Sequence, residues 1–150
     1  MKLKIFIIIS LITPFLFATK PKFSDNQIIA MTPHYFKRNH TSPELLGVNI
    51  YKTRQGRVYQ IDIQVDRNRV NDDLGFAYSA LTNMGQYAKK PIKQLIVVMH
   101  NDNHRIPPQI CIGKAKCSID FWVHQKGEYQ SWYKAVSYTH LRAHETEADL

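Results

Sequence analysis

From Leu46 onward the apolar and polar positions fall into patterns that predict a sheet with a helix. Leu46, Val48 and Ile50 alternate with other residues and predict a strand to about Thr53. Arg54-Gln55-Gly56 is a short turn, with Gly56 supplying the positive φ that hairpins need. Tyr59, Ile61, Ile63 and Val65 then alternate strictly with Gln60, Asp62 and Gln64, the mark of a strand with one dry and one wet face. Beyond Asn71 the period changes. Leu74, Ala77, Tyr78, Leu81, Met84 and Ala88 recur at three- and four-residue steps, which gives a helix one apolar face. Asn71 is the expected N-cap, Asp72 and Asp73 suit the positive end of the dipole, and Lys89, Lys90 and Pro91 mark the stop. The uninterrupted run Leu95-Ile96-Val97-Val98-Met99 predicts a central strand, parallel to the one before the helix through a right-handed crossover. His100 to Pro108 is a loop, and Ile110 to Cys117 a short strand or turn around Gly113. Ile119, Phe121 and Val123 alternate with Asp120, Trp122 and His124 and predict a further strand. Gly127 makes a turn before the aromatic stretch Tyr129 to Tyr133. The expected class is α+β: a small ββαββ sheet, antiparallel or mixed, with one helix packed on one face.

The N-terminal positions follow another pattern. Lys2 and Lys4 precede an apolar run, Ile5 to Phe17, and Leu16-Phe17-Ala18 offers a small residue for cleavage. Residues 1–18 are therefore expected to be a signal peptide. The run is shorter than the ~20 apolar residues of a membrane span, so no transmembrane domain is expected after cleavage. The protein is expected to be periplasmic or secreted. Residues 19–45, with Pro21, Pro33 and Pro43, form an irregular segment in which 25–36 could make a short helix or an edge strand. Residues 46–135 are the α+β domain.

The last residues carry a different signal. Val136-Ser137-Tyr138-Thr139-His140-Leu141-Arg142-Ala143-His144-Glu145-Thr146 resembles, without a break, the translation of a transposase sequencing adapter. The resemblance implies that 136–150 is adapter read-through, that the natural frame runs to about Ala135, and that the domain is truncated at its C-terminus. It also removes His140, His144 and Glu145 as a helical metal motif. A second, shorter resemblance lies inside the domain. Ile112-Gly113-Lys114-Ala115, followed by Gly127 and Trp132, is similar to the tail of small exported bacterial domains of unknown function. It implies a strand–helix–strand–strand core over Tyr59 to Trp132 and brings no catalytic residues with it. The cysteine pair and the longer spacing from Ala115 to Gly127 depart from that pattern.

The formal charge is +8. Lys2 and Lys4 are offset by the acidic excess of 136–150, so the whole of it belongs to residues 19–135. Such a surface favours an anionic envelope component or an acidic protein as partner, while export disfavours nucleic acid. Cys111 and Cys117, the two cysteines, are expected to form a disulfide in an oxidising compartment. Closing that loop would restrict the unfolded chain by roughly 2 kcal/mol. Their spacing fits neither a CxxC redox pair nor a zinc knuckle.

Two sites are candidates for chemistry. His100, Asp102 and His104 cluster at the end of the central strand, and His124 could join them from the neighbouring strand. Imidazoles and a carboxylate suit zinc, and a zinc-bound water would make a metal-dependent hydrolase. Against this, Asn and Asp in a row are ordinary turn formers. No Gly-x-Ser-x-Gly elbow or phosphate-cradling loop appears, and a helix start accounts for Asp72 and Asp73. The other candidate is the wet sheet face, with Gln60, Asp62, Gln64, Trp122 and His124. The balance favours an exported, disulfide-bonded binding or accessory module without a cofactor over an enzyme. The alternatives are the zinc hydrolase and a basic module that docks on anionic polymers.

Overall fold

The computed structural model describes residues 22–103 and 106–136. The expected signal peptide, the adapter-like residues 137–150 and His104 lie outside the described residues.

Helix α1 spans Asp25–Lys37. Ser24 and Gln27 form a capping box: the Ser24 hydroxyl accepts the Gln27 backbone N–H at 3.4 Å, and the Gln27 side chain accepts the Ser24 N–H at 2.9 Å. Ile28, Thr32 and Phe36, four residues apart, form the buried stripe. The helix tolerates Pro33 in its interior, where the ring removes one backbone donor. Of the two alternatives expected for 25–36, the helix is the one that forms, because the capping box and the buried stripe outweigh Pro33.

Strands β1 (Glu44–Thr53) and β2 (Gly56–Val65) pair antiparallel. Gly56 closes their hairpin at φ +125°, and the Lys93 side chain lies where its Cβ would be. Helix α2 (Val70–Gly85) leads to β3 (Gln94–Asn101), which runs parallel to β2 as expected. Strand β4 (Gln109–Lys114) pairs antiparallel with β3, so the four-stranded mixed sheet has the order β1-β2-β3-β4.

Two expectations about α2 need correction. Arg69, not Asn71, stands at the N-cap. The start is held instead by Asp73, whose carboxylate accepts the Asp66 backbone N–H at 3.2 Å and faces Arg69 at 3.6 Å. The helix also ends at Gly85, because the chain then turns to place Ala88 beside Phe23.

The class is α+β, but the order ββαββ with a single helix does not hold. A helix precedes the sheet and two follow it. Helix α3 (Ala115–Trp122) occupies the segment expected to be a strand through Val123. Ile119, Phe121 and Val123 alternate, yet Ala115, Ser118 and Trp122 also fall at helical spacing. Packing decides: Ala115 and Ser118 are buried, and the Ser118 hydroxyl accepts the Trp132 indole N–H at 3.1 Å. Trp132 belongs to helix α4, described over 129–136.

One core lies between the sheet and the helices. Tyr59, Ile61, Ile63 and Val65 of β2 meet Leu95, Val97 and Met99 of β3 and Cys111 of β4 on the same face. Ile28, Leu74, Tyr78 and Leu81 cover them from α1 and α2. Gly113 lets Tyr78 approach: a Cβ there would stand 3.2 Å from the Tyr78 ring and 3.3 Å from Ser118 Oγ. Trp132 seals that end, edge-on to Tyr78 and Trp122 at 5.1 Å. No helix among the described residues is long and apolar enough to cross a membrane.

The expected disulfide is absent. Cys111 points from β4 into the core, while Cys117 is exposed on α3. The strand-to-helix change between them sends the two side chains apart. Burial pushes the Cys111 thiol up to about 11.

Candidate binding face

Strand alternation sends every second side chain away from the helices. Register then decides which of them meet. Gln60, Asp62 and Gln64 stand beside Ile96, Val98 and His100 on β3, and beside Asn49, Gly47 and Glu44 on β1. Ile110 and Ile112 continue the same face onto β4. The helices pack on the opposite face, where the core is.

A row of hydrogen bonds crosses this face. The Tyr51 hydroxyl donates to Gln60 Oε1 at 2.8 Å. Gln60 Nε2 donates to Asp62 Oδ1 at 2.8 Å. Asp62 Oδ2 lies 3.3 Å from His100 Nε2. Gln64 Nε2 donates to Asp102 Oδ1 at 2.8 Å. Each side chain orients its neighbour, so the row presents fixed donors and acceptors. Opposite Asp62, β1 carries Gly47, which sends no side chain over the carboxylate. Along one flank lie Ile96, Val98, Ile110 and Ile112, with Ile110 45% exposed. The face is not basic: Glu44, Asp62 and Asp102 stand there against Lys114 and His100.

Of the residues expected on the wet face, Gln60, Asp62 and Gln64 are there, and Trp122 and His124 are not. Trp122 lies in the helical layer, 3.4 Å from where a Gly75 Cβ would be. His124 follows α3 and borders a recess with Lys93 and Lys114, at the start of β3. Of the four expected metal ligands, the fold separates His124 from His100 and Asp102. His100 and Asp102 join the row at the end of β3. His124 is about a strand length away, ~20 Å at ~3.3 Å per residue. His104 lies outside the described residues. Among the described residues no group of three His, Cys, Asp or Glu side chains is placed to hold a metal ion.

Tyr51 and the pairing of His100 with Asp62 were not visible from local pattern. Tyr51 stands next to apolar Ile50 and gives no signal by itself. His100 meets Asp62 only through the parallel register across 38 positions. Aligning the two strands as parallel neighbours would have put both on one face.

A different feature is a groove of about 640 Å³ between α1 and the bulged start of β1. Ile29, Pro33, Phe36, Leu45 and Leu46 line it, with Lys37, Ser42 and Glu44 beside them. Comparison with family models, curated proteins and solved structures finds no match to this chain.

Proposed function

We propose that this chain is an exported binding module whose open sheet face holds a neutral, hydroxyl-rich ligand of the glycan class. The row from Tyr51 through Gln60 and Asp62 to His100 is the observation that supports this reading. Carboxamides, a carboxylate, an imidazole and a phenol offer donors and acceptors in alternation, which suits hydroxyl groups. The Tyr51 ring, 39% exposed at one end of the row, offers an apolar surface for a sugar ring. The face carries more carboxylates than lysines, so it does not suit an anionic ligand. The row lies on rigid strands, which favours recognition through preorganised groups. Nothing in it supplies an activated nucleophile, so binding is favoured over catalysis. The leader at residues 1–18 supports action in the envelope or outside the cell.

Titration calorimetry of the protein with chitotetraose and cellotetraose tests the reading. Saturable heat is expected with at least one of them, weakened at least tenfold in Asp62→Asn and Gln60→Ala while the circular dichroism spectrum is kept. Absence of heat with both sugars at millimolar concentration would exclude a neutral glycan of this kind.

A further inference from the structure

Charge is distributed unevenly about the sheet. Five segments meet at the end where β2 and β3 begin: 22–25, 52–57, 86–93, the end of β4 and the start of α3. Named bonds stitch them together. Lys52 faces Arg57 in the hairpin. The Lys93 N–H donates to Arg57 O at 2.8 Å, and the Ala115 N–H to Lys93 O at 2.9 Å. The Lys89 N–H donates to Phe23 O at 2.7 Å.

We propose that this end is a docking face for a bilayer rich in anionic headgroups. Lys22, Lys52, Arg54, Arg57, Lys89, Lys90, Lys93, Lys114 and Lys116 all lie on these segments, and all but the half-buried Arg57 are exposed. The carboxylates on 22–25, 52–57, 86–93 and 114–120 are Asp25 and Asp120, already ion-paired with Arg57 and Lys116. Clustered lysines at that density attract an anionic lipid surface.

Chain order chooses a membrane over another polyanion. The apolar run Ile5 to Phe17 joins the fold at Lys22, on this same end. The few residues between span at most about 18 Å at ~3.6 Å each. Before cleavage, contact of that run with a bilayer keeps this end and its lysines within that distance of the headgroups. Phe23 and Tyr87 pack edge-to-face on each other at 6.4 Å, and Tyr51 is the one large ring on or next to these segments that is markedly exposed. Among the described residues these segments thus offer one exposed ring, whereas stacking of successive nucleic-acid bases uses several. This end borders the hydrogen-bonded row at Tyr51 and Lys114, but Lys52, Lys89 and Lys90 take no part in that row, so the docking surface does not depend on the glycan reading.

The test compares partitioning of the full chain onto phosphatidylcholine vesicles with and without phosphatidylglycerol. The apolar run enters both, so the preference for the anionic vesicle is the readout. Lys52→Gln/Lys89→Gln/Lys90→Gln is set against Lys37→Gln/Arg38→Gln/Arg67→Gln, which removes the same charge from the opposite end. Wild-type preference is expected to fall with salt. At roughly fivefold per lysine, the first triple variant should lose about a hundredfold of it, and the second should keep most. Single lysine variants must give graded losses if the triple does not fold. Equal losses in both triples would reduce the effect to net charge and overturn the proposal, as would the absence of any wild-type preference. Release of bound protein by added duplex DNA, with no return at excess lipid, would point to nucleic acid instead.

Discussion

Thr32 Oγ1 and the Tyr59 hydroxyl oxygen meet at 2.5 Å in the core, binding helix α1 to a central strand. Thr32 spends its proton on the Ile28 carbonyl at 2.7 Å, so Tyr59 is the donor between the two. Both side chains are fully buried. Burial raises the Tyr59 phenol beyond its usual range, so it is protonated at neutral pH. This contact fixes α1 over β2 and leaves the opposite face of the sheet to its row of polar side chains.

Tyr59→Phe should therefore destabilise the protein by about 1 kcal/mol, the net value of one buried hydrogen bond. Thr32→Val should cost a similar amount. The double variant should cost clearly less than the two together, because each single change breaks the same bond. Urea unfolding followed by circular dichroism reads all three. Full additivity would mean that the hydroxyls do not interact.

Gly113 is the second point where the helices depend on one atom. Gly113→Ala pushes a methyl against Tyr78 and Ser118, which are themselves tied to Cys111 O at 3.1 Å and to Trp132. Overpacking of this kind costs ~1–3 kcal/mol. Thermal unfolding should show a lower midpoint, with the loss of near-ultraviolet signal from Trp132. An unchanged midpoint would show that β4 and Tyr78 are not in close contact.

The sheet was legible because its strands write their environment locally. The alternation from Tyr59 to Val65 and the apolar run from Leu95 to Met99 place β2 and β3 without further information. Helix α3 was hidden because Ile119, Phe121 and Val123 satisfy a strand period while Ala115, Ser118 and Trp122 satisfy a helical one. Burial of Ser118 against Trp132 settles the matter, and that contact is not local. Helix α1 was obscured by Pro33 within it and by Pro21 and Pro43 on either side. The same reasoning divides the binding face: Gln60, Asp62 and Gln64 were readable on one strand, whereas His100 needed the pairing of two. The basic residues are spread along the sequence from Lys22 to Lys134. Hairpin closure and the parallel crossover gather most of them at one end.

The two thiols should differ sharply. Cys117 is exposed, and Cys111 is buried with its thiol pushed up to about 11, so little thiolate exists at neutral pH. One equivalent of a thiol reagent should react quickly with native protein, and the second only in denaturant. Cys117→Ser should abolish the fast phase, and reductant should leave the unfolding midpoint where it was. Two slow thiols that appear only after reduction would restore the disulfide.

Asp73 gives the fold a pH dependence of known sign. The carboxyl is buried at the start of α2, and desolvation raises it above the ordinary carboxylate range. The Asp66 N–H and Arg69 oppose that rise without cancelling it. A carboxyl raised in the folded state binds its proton more tightly there than in the unfolded chain. Its contribution is therefore most favourable at low pH, and it is lost as pH climbs from about 4 through the raised value. Asp73→Asn cannot ionise, and its side-chain oxygen can still accept the Asp66 N–H. Relative to wild type, the variant should gain stability across that window and hold the gain at neutral pH. Urea titrations on both sides of the window measure the difference directly. A wild-type advantage that grows with pH would mean that Arg69 dominates and that Asp73 is an ordinary paired carboxylate.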